Sequence, residues 1–159
     1  MTPWAKDVAG KTQQPLLAVC LLRGAMIFFS DLVREIDCPV EFEVCRLSFY
    51  CDKTDSKINN TIPSDYVPFD VSGRAILLVD DFCDTGDTLK ALHDSLLSRQ
   101  AADIRSVTLL LRNSQYAVYK PYWSALEVAR KEWVVGYGLD NKNKNRNLKD
   151  IYYIEGTGQ

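Results

Sequence analysis

The run Val79-Asp80-Asp81-Phe82-Cys83-Asp84-Thr85-Gly86-Asp87-Thr88 brings four carboxylates, two hydroxyls and a glycine into one short stretch. Asp80 and Asp81 follow an apolar segment. Adjacent carboxylates there repel each other, and their desolvation is costly unless cations, hydroxyls or backbone N–H groups meet them. Thr85-Gly86-Asp87-Thr88 reads as the opening of a helix, where small side chains, hydroxyls and unpaired N–H groups face a common point, as in a phosphate cradle. A sugar phosphate satisfies both halves: ribose hydroxyls and a divalent cation take the acids, and the phosphate takes the helix N-terminus. A plainer reading stays open, in which Asp84 or Thr85 caps the helix and Asp80-Asp81 ends a strand in solvent.

Positioning such a turn requires strands and helices in alternation. Leu16 to Leu22 is a continuous apolar run ending at Arg23-Gly24, the pattern of a strand buried on both faces. Met26, Phe28, Phe29, Leu32, Val33 and Ile36 then recur at helical spacing until Cys38-Pro39 stops them. Val40, Phe42 and Val44 alternate with Glu41 and Glu43, which predicts a half-buried strand near an edge. Residues 51–64 are polar and turn-forming, long for a connection inside a compact domain and suited to a lid. Ala75 to Val79 is the strongest strand, and it runs into the acidic turn. Leu89, Leu92, Leu96 and Leu97 mark the buried stripe of the helix after it. Further strands are expected at 106–111, 124–128, 133–137 and 151–154. The pattern predicts one α/β domain over residues 1–159: a mostly parallel, twisted sheet with helices on both faces and ligands at the carboxyl ends of the strands.

Composition narrows the partners. The chain has 159 residues, 47% of them hydrophobic, and a net charge of −2, so no basic surface makes nucleic acid or an acidic membrane the default partner. No apolar run approaches the roughly 20 residues of a membrane span, and residues 1–7 have no signal-peptide core. The five cysteines contain no C-x-x-C pair, and the single histidine, His93, lies far from any paired thiols, which argues against structural zinc and for a reduced, cytoplasmic setting.

The acidic turn resembles the ribose-phosphate motif of the type I phosphoribosyltransferases: an apolar strand, Asp-Asp, two apolar residues, then Asp-Thr-Gly-x-Thr. Leu21-Leu22-Arg23-Gly24-Ala25, Phe28-Phe29-Ser30-Asp31-Leu32, Val40-Glu41-Phe42, Trp133-Val134-Val135-Gly136-Tyr137-Gly138-Leu139-Asp140 and Arg146-Asn147-Leu148 resemble the hypoxanthine-guanine branch. The resemblance runs from about Leu16 to Ile154. It implies the type I fold with a small hood region, and purine salvage: transfer of 5-phosphoribose from phosphoribosyl pyrophosphate (PRPP) to N9 of a 6-oxopurine, with release of pyrophosphate and use of Mg2+. It assigns Asp80 and Asp81 to the ribose hydroxyls, directly or through magnesium waters, and Asp84 to purine N7 as general acid or base with a raised pKa. Thr85, Gly86, Asp87 and Thr88 are assigned to the 5-phosphate. Arg23, Gly24 and Arg146 would meet pyrophosphate, the first two in a turn that often carries a cis peptide. Asp140 would reach magnesium, Trp133 would stack on the base, Val134 would read the base edge through its backbone, and Arg112 would bond the 6-oxo group. The resemblance also implies a homodimer or homotetramer.

Some positions depart from the family pattern. Arg112 replaces a lysine, and the two are not interchangeable at a fitted contact. Asp87 puts an acid in the phosphate cradle, where it is repulsive unless turned outward, and Phe49-Tyr50 replaces Ser-Tyr. Asn141-Lys142-Asn143-Lys144-Asn145 is unusually polar and lysine-rich. The N-terminus is short for the family, which places a helix and a strand before the first motif. These departures leave two alternatives: a phosphoribosyltransferase for another base, or a non-catalytic regulatory module that binds PRPP or a nucleotide.

Overall fold

The computed structural model describes residues 1–46, 67–112, 115–128 and 133–154. The lid expected over 51–64, and Phe49-Tyr50 with it, lie outside the described residues. In chain order the elements are α1 (Thr2–Thr12), β1 (Leu16–Leu21), α2 (Met26–Arg34), β2 (Val40–Cys45), β3 (Ala75–Cys83), α3 (Asp87–Ser98), β4 (Asp103–Arg112), β5 (Trp123–Val128), β6 (Trp133–Val135) and β7 (Tyr152–Ile154). Five strands form one sheet in the order β2-β1-β3-β4-β5. Every pairing in it is parallel, with Leu17 opposite Ile76 and Leu78 opposite Ser106. β6 and β7 pair antiparallel as a separate two-stranded hood, Trp133 opposite Ile154.

Parallel strands must be covered on both faces, and the side-chain alternation of β1 sorts its residues accordingly. Leu16, Ala18 and Cys20 join Trp4, Ala5 and Val8 of α1 and Phe28 and Phe29 of α2 in one core. Leu17, Val19 and Leu21 point the other way, into a second core with Leu89, Leu92 and Leu96 of α3 and with Val67 and Val71. The central strand β3 feeds both: Leu77 and Val79 enter the first, Ile76 and Leu78 the second.

Three details differ from the sequence expectation. The sequence reading assigns no element before Leu16, whereas the structure has α1, with a proline in its first turn. The helix docks through Trp4, whose indole donates to Asp103 at 2.8 Å and whose ring lies 5.7 Å from that of Trp123, with the Arg105 guanidinium over Trp4 and Tyr122. The apolar alternation of β2 does put it at an edge, yet Phe42 and Val44 are largely exposed. The nine-residue α2 meets this edge through Phe29, edge-on to Phe42 at 6.0 Å. Leu97 is also solvent-exposed, because one helical step beyond Leu96 rotates it about 100° off the buried stripe.

Leu77 is fully buried at the centre of the sheet. Leu77→Ala should cost about 2–5 kcal/mol of stability, read as a lower urea midpoint at unchanged slope.

Candidate active site at the carboxyl ends of the strands

The acidic turn, the Arg23 turn and Arg112 all lie at the carboxyl ends of parallel strands, β3, β1 and β4 respectively. Asp80 is the most enclosed of the acids, at 8% exposure, so the reading in which Asp80-Asp81 ends a strand in solvent does not hold. Burial and the negative charge of Asp81 push the Asp80 carboxyl well above the usual carboxylate range. Burial also raises Asp81, opposed by the hydrogen bond from Asp80 and by the charge of Arg146. Cys20, beside both acids, has its thiol pushed up to about 12 by burial and then by their charges, which makes it a packing residue rather than a nucleophile.

Gly24 is forced by contact with these acids. A Cβ there would stand 1.6 Å from Asp81 Oδ2. The preceding Leu22–Arg23 peptide is cis. A second loop closes over this turn: Gly138 has a φ of 101°, and a Cβ on it would lie 2.1 Å from the Gly24 carbonyl oxygen. The loop is held by paired charges. Arg146 donates to the Gly138 carbonyl at 2.7 Å and pairs with Asp140 at 2.6 Å. Asp140 also accepts from the backbone N–H of Asn143 at 2.6 Å, and the Asn143 side chain accepts from Arg23 at 2.8 Å. Lys142 and Asn143 both have positive φ between the bridged pair Asn141 and Lys144, so the polar, lysine-rich segment is a tight hairpin turn in which asparagine is at home.

On the other side, α3 starts at Asp87 with Gly86 as its N-cap at φ 83° and no side-chain cap, so neither Asp84 nor Thr85 caps the helix. The Asp87 carboxylate accepts a hydrogen bond from the Thr85 hydroxyl. It therefore folds back across the turn rather than outward, in the first helical turn, where the helix dipole favours an anion. The segment 115–122 packs against the turn. The Thr85 carbonyl accepts from Val118 N at 2.8 Å and Tyr119 N at 3.4 Å. Nothing in the period or composition of that segment singled it out, nor did the spacing of Asn143 from Arg23 reveal their bond.

Between the two turns lies a cavity of about 310 Å³ lined by Asp81, Phe82, Asp84, Arg112, Trp133, Val134, Leu139 and Asp140. Trp133 is 46% exposed, so it is a wall of this cavity and not a core residue. Arg112 lies over the Phe82 ring at 4.7 Å and donates to Asp84 Oδ2 at 3.1 Å. The cavity thus sets the ion-paired Asp84 and planar Arg112 beside a flat aromatic wall, with Asp81 and Asp140 also in its lining, a combination suited to a flat heterocycle that carries polar groups.

Asp80 generates a pH test. The folded protein holds this proton more tightly than the unfolded chain, so stability declines as pH rises from about 3.9, the unfolded value, through the raised folded value. Asp80→Asn, uncharged throughout, should melt at a higher temperature than the parent at pH 7, with the gap closing near pH 4. Equal melting temperatures at pH 7 would refute the assignment.

A family model for the phosphoribosyl transferase domain matches residues 3–142. The chain is 36% identical over 144 residues to the hypoxanthine-guanine phosphoribosyltransferase of Aquifex aeolicus, covering 90% of this chain and 80% of that protein. It is 39% identical over 146 residues to the enzyme of the same name from Streptococcus pneumoniae, covering 92% and 79%. The crystal structure of a hypoxanthine phosphoribosyltransferase from Staphylococcus aureus superposes with a TM-score of 0.79 at 28% identity, covering 97% of this chain and 84% of the other. Parallel sheet, hood, acidic turn and extended sequence similarity agree: the chain belongs to the phosphoribosyltransferase family and, within it, to the hypoxanthine-guanine phosphoribosyltransferases.

Proposed function

We propose that the protein transfers the 5-phosphoribosyl group of PRPP to N9 of a 6-oxopurine, hypoxanthine or guanine, with release of pyrophosphate. The observation that carries this reading is the Asp84–Arg112 pair inside a cavity walled by Trp133. A 6-oxopurine presents N7 and the 6-oxygen side by side on one edge. Asp84 takes N7, where it gives or receives a proton, and Arg112 donates to the oxygen. A 6-amino group would set donor against donor there. Trp133 stacks on the ring, and Val134 meets the base edge through its backbone.

Asp80 and Asp81 hold the ribose hydroxyls, and Thr85, Gly86, Asp87 and Thr88 hold the 5-phosphate. Arg23, Gly24 and Arg146 receive the pyrophosphate. Its departure leaves an oxocarbenium-like ribose, so catalysis is chiefly positioning and stabilisation of separated charge, for which the two adjacent acids lie ready.

The donor chemistry fits magnesium. Among the described residues no three potential ligands gather into a metal cage, and the acids near the cavity are oxygen donors only, which suits an ion that binds through one or two carboxylates plus substrate oxygens. Asp140, together with Asp80 and Asp81 through water, would hold it, and the bound ion would neutralise charge on the leaving pyrophosphate. The reading includes a cytoplasmic setting, supported by four free cysteines among the described residues, and a homodimer or homotetramer, supported by the apolar, exposed Phe42 and Val44 at the β2 edge.

Incubation with PRPP, magnesium and a panel of hypoxanthine, guanine, xanthine, adenine, uracil and orotate should give pyrophosphate release with the first two bases. PRPP binding without turnover on any base would instead favour a regulatory module. Asp84→Asn should lower kcat by about 10²–10⁴, the usual worth of a general acid or base, with PRPP affinity within several-fold of the parent. A collapse of PRPP affinity with normal turnover at saturation would overturn this role for Asp84.

A further inference from the structure

We propose that Tyr119 is a positioning residue for the 5-phosphate turn, acting through the backbone of Thr85 and Gly86; the proposal rests on the reading of that turn as the phosphate site. Three contacts converge on Tyr119. Its hydroxyl lies 3.1 Å from that of Ser106, a fully buried residue of β4. Its ring lies 5.7 Å from the His93 ring on α3. Its backbone touches the turn directly: a Cβ on Gly86 would stand 2.3 Å from the Tyr119 carbonyl oxygen, and Tyr119 N and Val118 N both donate to the Thr85 carbonyl.

The geometry of the peptide unit turns these contacts into aim. Across the planar trans peptide joining Thr85 to Gly86, the carbonyl and the N–H point in opposite directions. Fixing the Thr85 carbonyl against residues 118–119 therefore directs the Gly86 N–H away from that segment, while the Lys90 N–H of α3 donates to the Gly86 carbonyl at 2.9 Å. Gly86 has a φ of 83°, a region where its backbone has wide latitude unless a neighbour removes it. Tyr119 is that neighbour, and it is itself anchored to the sheet by Ser106 and to the helix by His93. The anion-facing amides are thus held in place before a ligand arrives, which lowers the ordering cost of binding.

The test compares Tyr119→Ala, Tyr119→Phe, Ser106→Ala and the Phe/Ala double variant with the parent. The readouts are steady-state kinetics and binding of ribose 5-phosphate by calorimetry. Tyr119→Ala should raise the KM for PRPP and the Kd for ribose 5-phosphate about tenfold, with kcat and the KM for the base within about twofold, the pattern of lost uniform binding. Tyr119→Phe and Ser106→Ala should each raise both PRPP-side constants about threefold, and the double variant no further, since both remove one bond. Thr88→Ala, in the turn itself, separates the two levels of the argument. If it leaves ribose 5-phosphate affinity unchanged, the phosphate reading fails and the proposal with it. If Thr88→Ala weakens binding while both Tyr119 variants do not, the proposal alone is overturned. Equal losses in kcat and in both KM values for Tyr119→Phe, a variant that keeps the ring, would also overturn it.

Discussion

Two neighbouring carboxylates at the end of the central strand, Asp80 buried and Asp81 half-buried beside it, are the constraint around which this molecule is arranged. Asp80 and Asp81 cannot both carry full charge comfortably where they sit, and the charge of Arg146 relieves Asp81 only in part. The surroundings are fitted to that tension. Gly24 has no room for a side chain because Asp81 fills the space, and Gly138 has none because Gly24 does. Backbone from two loops is thereby stacked against the acid pair, so the residues assigned to the leaving group, Arg23 and Arg146, stand within reach of those assigned to the sugar. A strained electrostatic element is tolerated because the strands and helices packed into two cores hold it in place.

Most of the frame was legible in the sequence because its signals are local. Continuous apolar runs marked β1 and β3, helical spacing marked α2 and α3, and Asp-Asp followed by Asp-Thr-Gly marked the turn between β3 and α3. What escaped was tertiary. Trp4 looks like any aromatic residue near a chain start until Asp103, Arg105 and Trp123 are folded beside it. Phe42 and Val44 alternate like half-buried strand residues, and only the extent of α2 tells that their face stays open. Within the site, the motifs singled out Asp81, Asp84, Arg112, Trp133, Val134 and Asp140, which line one cavity, but not the bonds that tie the site together. Arg23 to Asn143 spans 120 positions, and Asp84 to Arg112 spans 28.

The two departures at Arg112 and Asp87 acquire physical sense in the fold. Arginine at 112 is long and planar enough both to lie on Phe82 and to reach Asp84, a double duty that suits a guanidinium better than an ammonium group. Asp87 sits within the turn before α3, holding the Thr85 hydroxyl at a helix end where negative charge is favoured. On the proposed reading of this turn, an incoming phosphate would meet the Asp87 carboxylate already bonded to the Thr85 hydroxyl.

The clasp of α1 divides the molecule optically as well as mechanically. Of three tryptophans, Trp4 and Trp123 lie together with tilted rings at the amino ends of the strands, while Trp133 walls the cavity at the carboxyl ends. Intrinsic fluorescence therefore carries two separable signals. Quenching confined to Trp133 follows occupancy of the cavity, and a red shift of the Trp4–Trp123 pair follows undocking of α1 from the sheet.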